Sequence, residues 1–388
     1  MSAGLEWRIV VCLLAAAVGM SEARGGPYLR SNLARAMYNR MLSDERLRNM
    51  NMSKMYEVDE LALTDEVRRK FMPLSVDEDT HQFLSNCFEQ SEWLVTQVWH
   101  SIAKAFLGLF MTQTSINGLL NRGRMFVWSE AQARLLLGAP PRRFSTDAED
   151  NTDAEDNTDA KDKGEDRHEG HLSRQDDVEA AEGGAERELW VGDKLLDLGA
   201  GDGYVTQVLE PGVRQVYATE TSSVMRKRLR ERGYRVLDAW EWAQESGEIE
   251  YDVVTCLNLL DRCDTPRSLL REIHAKLTPS GTLVVALVLP FNPYVETGTA
   301  DNLPSEELGI AGSTLEEQVN CLATHVFPSL GYTLTRWSRL PYLCEGDLDQ
   351  AFYWLSDVVL VFRKTGLYDE TDEEEEFSDA LENIKVEL

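Results

Sequence analysis

From residue 190 to residue 363 the chain exchanges strand-like and helix-like texture at short, regular intervals, and this exchange constrains the fold more than any other feature. Strands are predicted at residues 194–200, 215–220, 234–237, 251–258, 282–289, 333–340 and 353–363. Helices are predicted from about residue 204 and over 222–232, 266–277 and 315–330. Several of the strands are unbroken apolar runs, such as Leu283-Val284-Val285-Ala286-Leu287-Val288-Leu289. A strand apolar on both faces must be covered on both faces, which is the condition of a parallel sheet with helical crossovers. The last two strands have no helix-sized segment between them, so they should pair antiparallel at the end of the sheet. The expectation is an α/β, Rossmann-like seven-stranded, mostly parallel sheet with an N-terminal helical segment.

The first of these strands runs into Asp197-Leu198-Gly199-Ala200-Gly201-Asp202-Gly203. Glycines at a strand-to-helix turn let a ligand approach the backbone and the amides that follow. The spacing is Gly-x-Gly-x-Gly; a dinucleotide fingerprint would need glycine at 204, where Tyr204 stands. Asp197 is placed to accept from the ammonium of a bound methionine moiety. Glu220 ends the second strand, where a carboxylate can accept both hydroxyls of a ribose. The fourth strand ends Asn258-Leu259-Leu260-Asp261-Arg262-Cys263-Asp264. The carboxyl ends of parallel strands frame the ligand crevice, so Asn258 and Asp261 should face the reactive end of the ligand. Asn258 can hold the cofactor, and Asp261 is the carboxylate placed to meet a substrate; Asp264 better fills the role of N-cap for the helix beginning at Pro266. A glycine turn, a ribose carboxylate and this strand order together predict a class I methyltransferase that uses S-adenosyl-L-methionine.

Two later segments read as lids or substrate walls. Residues 289–296 leave the fifth strand and carry Tyr294 and Glu296, candidate substrate contacts. Residues 339–347 should join the last two strands and carry Tyr342. Aromatic and acidic side chains there suit a cationic or imidazole-bearing substrate, and packing alone would also account for them.

Charge narrows the partners. The net charge of the 388 residues is -28. Residues 145–188 hold 17 acids against 5 bases, and residues 368–388 hold 10 acids against 1 base, leaving the remainder only mildly acidic. A nucleic-acid substrate is excluded on this ground, because neutralising phosphates requires a basic surface. The first stretch contains Thr-Asp-Ala-Glu-Asp-Asn twice in succession, then Thr-Asp-Ala-Lys-Asp-Lys. Neither stretch has the apolar content to fold. None of the six cysteines forms a Cys-x-x-Cys pair, so neither a metal site nor a dense disulfide framework is expected.

The expected organisation is a signal peptide over 1–23, an irregular segment over 24–76, and a helical cap segment over 77–143. A disordered acidic insertion follows over 144–189, then the methyltransferase domain over 190–366 and an acidic tail over 367–388. The 12-residue apolar run over 9–20 is short against the roughly 20 residues of a membrane span and suits a signal sequence. The final Lys385-Val386-Glu387-Leu388 resembles the Lys-Asp-Glu-Leu retrieval signal. Together they point to the lumen of the endoplasmic reticulum, with no membrane span expected. Within 77–143, Ser129 with Gln132 predicts a capped helix to about residue 137, and residues 114–120 read as an ordered loop.

Taken together, residues 114–120, Met125-Phe126-Val127, the turn at 196–203, residues 217–220, 257–264, 286–296, 316–320 and 340–347 resemble the methyltransferase-like protein 9 (DREV) family. The likeness runs from about residue 78 to 363, interrupted by the acidic insertion. It implies a protein-histidine methyltransferase forming pros-methylhistidine in His-x-His motifs of protein substrates. It also implies cofactor contacts at Glu220, Asn258 and Tyr342 and a catalytic aspartate at Asp261. The alternatives are a class I methyltransferase acting on a small molecule or lipid, and a cofactor-binding scaffold without turnover.

Overall fold

A computed structural model of the chain describes residues 32–92, 99, 113–120, 122–140, 189–295, 301–347 and 349–366. The expected signal peptide, the acidic insertion except Leu189, the acidic tail with its retrieval-like end, and Glu296 lie outside the described residues.

The centre is one eight-stranded sheet. Its strands are β1 (Met125–Phe126), β2 (Gly192–Leu198), β3 (Val213–Thr219), β4 (Arg235–Leu237), β5 (Tyr251–Leu257), β6 (Leu277–Val288), β7 (Tyr332–Glu345) and β8 (Phe352–Lys364). Their order is β1-β7-β8-β6-β5-β2-β3-β4. Strands β2 to β6 pair in parallel, while β8 is antiparallel to both β6 and β7. This is the predicted layout with one strand more than expected. The addition, β1, pairs antiparallel with β7 through Met125 and Phe126, opposite Cys344 and Leu343. Two residues give too little alternation to be read as a strand from sequence.

Helices and turns cover both faces. On the N-terminal side lie α1 (Asn32–Arg48), α2 (Asp65–Lys70), α3 (Glu78–Glu92), α4 (Gln113–Leu120) and α5 (Glu130–Leu137). Within the alternating region lie α6 (Ser223–Glu231), α7 (Trp242–Glu245), α8 (Pro266–Lys276) and α9 (Leu315–Cys321). The predicted capping box is present at α5: Ser129 accepts from the Gln132 amide, and the Gln132 side chain accepts from the Ser129 amide.

Three local expectations are corrected. Residues 114–120 form helix rather than loop, because Ile116 is buried and α4 packs on α6, with Ser115 and Ser222 hydroxyls 2.9 Å apart. The turn propensity of Asn117-Gly118 is overridden by that packing. Residues 24–76 are less irregular than expected, since they contain α1 and α2. The first lacks an apolar stripe, so periodicity missed it, yet Ala, Arg, Met and Leu favour helix. The second drives Val67 into the core, where the Val67 carbonyl accepts from the Trp337 indole at 2.9 Å. Finally, no α-helix follows β2. The chain makes two single 3-10 turns, Thr206–Val208 and Glu210–Gly212, because Pro211 and Gly212 stop a helix before β3 begins.

Segment 339–347 is corrected too. Most of it is not a connection but part of β7, which continues to Glu345 and pairs residue by residue with β8. Pro341 is tolerated there because β1 pairs only with Leu343 and Cys344, leaving Pro341 at an open sheet edge. The N-terminal elements share a core with the sheet. Phe83, Leu84, Trp128 and Leu136 pack with Leu195, Val253, Val284 and Val359. No helix among the described residues is long and apolar enough to cross a membrane.

Candidate active site

In an open parallel sheet the ligand crevice lies where strand order reverses, which here is between the carboxyl ends of β2 and β5. The turn leaving β2 holds Gly199, Gly201 and Gly203 at φ of 73°, 57° and 77°. L-residues other than glycine are strained there. A Cβ on Gly203 would strike Leu229, Arg232 and Tyr234, so this glycine serves packing against α6. A Cβ on Gly201 would meet nothing within 4 Å. Gly201 therefore borders open space, as a glycine that admits a ligand must.

Two carboxylates hold this turn. Asp197 is buried, and its two oxygens accept from the hydroxyls of Thr206 at 2.5 Å and Thr255 at 2.6 Å. Burial pushes its carboxyl up to about 6 despite those donors, with the nearby Glu220 adding to the rise. Asp197 thus ties the 3-10 turn after the glycines to β5. Sequence reasoning missed both threonines, since a lone threonine carries no signal until the strands are paired. Glu220 accepts the Gly201 amide at 3.0 Å through one oxygen and the Ser222 amide at 2.8 Å through the other. It joins the glycine turn to the start of α6.

The other end of the crevice begins at Asn258. Its φ of 55° is left-handed, a conformation asparagine tolerates better than most residues. Its amide nitrogen Nδ2 donates to Asp357 at 3.0 Å, while its oxygen Oδ1 is buried without a partner. Asp261 follows in a 3-10 turn, Leu260–Arg262. One of its oxygens lies 3.2 Å from the Arg262 guanidinium; the other, Oδ1, is also buried without a partner. Burial raises the Asp261 carboxyl above the ordinary carboxylate range, partly opposed by Arg262. Asp264 does not cap α8. It accepts from Ser305, and Pro266 begins the helix where a missing N–H costs nothing.

Tyr342 comes from β7 and donates to the Met125 sulfur. Burial, followed by Cys344, Asp357 and Asp261, raises its phenol well above the ordinary value. Tyr294 meets the site through its backbone, its amide donating to the Asp261 carbonyl at 2.7 Å. Its ring is exposed beside the Arg262 guanidinium. Asp357, on β8, was not foreseen. It lies fully buried against Asn258, and its signal was an acid at the head of the apolar run Val358-Val359-Leu360-Val361. Among the described residues no group of His, Cys, Asp and Glu is arranged to hold a metal ion.

The sheet order, the glycine turn and the ribose-type carboxylate at the end of β3 define a class I methyltransferase. The chain belongs to the DREV methyltransferase family, whose model matches residues 55–155 and 178–364. Its cofactor is S-adenosyl-L-methionine, and the open face at Gly201 with the Glu220 carboxylate beside it fits that molecule. Among curated proteins, a ubiquinone biosynthesis O-methyltransferase of Stutzerimonas stutzeri (strain A1501) is 30% identical over 105 residues, covering 25% of this chain and 45% of that protein. Its counterpart in Pseudomonas aeruginosa (strain LESB58) is 29% identical over 111 residues, 26% of this chain and 47% of that one. The chain thus spans less than half the length of these relatives. Similar solved structures include a DhpI complex with SAH, 15% identical with a TM-score of 0.31, covering 45% of this chain and 78% of that one. Another is the N-methyltransferase NodS of Bradyrhizobium japonicum WM9 with S-adenosyl-L-homocysteine, 15% identical with a TM-score of 0.29, covering 44% and 78%.

Proposed function

We propose that this methyltransferase acts on histidine in proteins and forms pros-methylhistidine, with His-x-His motifs as the preferred targets. The observation that carries the reading is the unpartnered Oδ1 of Asp261, buried at the end of β5. A buried acceptor without a donor is a cost that persists only if something supplies the donor. Neutral imidazole supplies one N–H and one lone pair, and its ordinary pKa of about 6.5 leaves most of it neutral near pH 7. The bound cofactor supplies an electrophilic methyl group on a sulfonium. No strong base is needed to create the nucleophile; the protein has only to choose the nitrogen.

Asp261 makes that choice. By accepting the N–H of the tele nitrogen, it fixes the tautomer and leaves the pros lone pair free. Its charge also stabilises the imidazolium that develops as the new N–C bond forms, a gain that grows toward the transition state. Arg262 occupies the other oxygen and keeps the carboxylate oriented. The Tyr294 ring, exposed beside the Arg262 guanidinium, offers an aromatic surface to the substrate.

The test is Asp261→Asn on a short His-x-His peptide. Turnover should fall about 100-fold or more, the scale of a positioned acid–base group. Affinity for S-adenosylhomocysteine should stay near that of the wild type. Full activity in the variant would remove Asp261 from the reaction. A second reading, O-methylation of a small molecule or lipid, draws on the names of the curated relatives. Parallel incubation with peptides and with a lipid extract separates the two.

A further inference from the structure

Asp357 is an acid at a position whose partners across the sheet are apolar. It stands opposite Leu340 on β7 and Val288 on β6, in a strand that continues Val358-Val359-Leu360. It is 0% exposed. Burying a carboxylate in such surroundings is costly unless it is hydrogen-bonded to good purpose, and a neutral asparagine could accept the same backbone amide. One oxygen accepts the Val358 amide at 3.0 Å; the other accepts Asn258 Nδ2, also at 3.0 Å.

Asn258 is fixed in every respect but one. Its backbone amide is tied to the Ala286 carbonyl at 2.9 Å, and its left-handed backbone is set by the turn. What its backbone does not determine is which end of the carboxamide faces which way. The two ends are nearly the same shape and opposite in chemistry, one donating and one accepting. Both Asp357 oxygens accept, one from the Val358 amide and one from the Asn258 nitrogen; in its ionised form the carboxyl can do nothing else, so it holds the nitrogen end and turns the amide oxygen away from itself. That oxygen is buried and without a partner, as is Asp261 Oδ1 three residues along.

We propose that Asp357 is a positioning residue that locks the Asn258 carboxamide with its oxygen toward the crevice, so that Asn258 and Asp261 present a pair of acceptors to N–H groups of the bound reactants. A reversed amide would aim its own N–H groups at an N–H donor and repel it. Asp357 thereby makes the crevice selective for donors. The inference rests on the assignment of this crevice to histidine methylation, and it deepens that assignment by naming what sets the polarity of the site.

A double-mutant cycle run at about pH 8.5, where Asp357 is ionised, tests it. Asp357→Asn lets the Asn258 amide take either orientation, so kcat/KM on a His-x-His peptide should fall about 10-fold. In an Asn258→Ala background the same change should cost less than about twofold, because the group through which Asp357 acts is gone. Losses that simply multiply, in variants with normal melting curves, would overturn the proposal; a purely structural carboxylate gives that result. Neutron diffraction of the deuterium-exchanged wild type reads the orientation directly and needs neither variant nor activity. Deuterons on the nitrogen facing Asp357 support the proposal, and deuterons facing the crevice refute it. If the wild type forms no methylhistidine, the histidine assignment fails, while the neutron density still decides the orientation of Asn258.

Discussion

The two ends of the crevice are built on opposite plans. At the cofactor end every carboxylate oxygen is engaged: Asp197 by Thr206 and Thr255, Glu220 by the amides of Gly201 and Ser222. At the far end, Asn258 and Asp261 each keep a buried oxygen without a donor. The first end is complete before anything binds, so a ligand meets a preorganised surface and little ordering is left to oppose binding. The second leaves one acceptor oxygen open on each of two side chains, where a reactant can bring a donor. Cofactor binding is therefore tied to backbone shape, and substrate choice to hydrogen-bond polarity.

The contrast breaks most severely if the shape of the first end is destroyed. Gly201→Arg places a long side chain in the one open direction at the turn. Calorimetry should find no binding of S-adenosylhomocysteine while thermal melting shows a folded chain. Normal binding would remove the glycine turn from the cofactor site. A milder break is Glu220→Ala, which frees two backbone amides without filling the crevice. Affinity for the same ligand should fall by about 10- to 100-fold, the range for hydrogen bonds to a charged group. An unchanged affinity would mean that Glu220 serves only to staple the turn to α6.

The far end is sharpened by pH. In the fold, burial pushes Asp357 up to about 7, whereas an unfolded aspartate titrates near about 4. Between those values the folded chain binds the extra proton. The stability contributed by this group is therefore greatest at low pH and declines as pH rises toward 7. Asp357→Asn abolishes that decline, so its melting temperature relative to the wild type should climb by a few degrees between about pH 5 and pH 8. Asp197 titrates in the same window, at about 6, but is common to both proteins and cancels in the difference. A difference that does not vary with pH would show that Asp357 is ionised throughout. The smallest effect belongs to the acidic stretches. Deleting residues 145–188 and 368–384 should change turnover on a short peptide by no more than about twofold, because their composition contributes nothing to a core. A large loss would show that acidic charge helps gather the substrate.

Much of the first end was legible in the sequence. Its parts lie close together in the chain: three glycines in five residues, then a carboxylate at the end of the next strand. Their roles follow from backbone geometry, which local sequence reports well. The far end is assembled across the sheet. Asn258 and Asp357 are separated by 99 positions and meet only because β8 enters beside β6. No spacing rule reaches that distance, and a buried acid in an apolar strand was the one available hint. Tyr342 falls in the connection expected over residues 339–347; it lies within β7, where the edge position forgives the missing N–H of Pro341. The α4 segment failed for the converse reason, since local turn signals at Asn117-Gly118 gave way to the burial of Ile116.

The central claim is that a carboxylate at Asp261 selects the nitrogen that is methylated, and the isomer of the product reads this most directly. Wild-type protein incubated with S-adenosylmethionine and a His-x-His peptide should yield pros-methylhistidine, separated from the tele isomer by chromatography after hydrolysis. What little product Asp261→Asn forms should lose that regiochemical purity, since nothing then fixes the imidazole tautomer. Tele-methylhistidine from the wild type, or pure pros product from Asp261→Asn at the wild-type rate, would contradict the account.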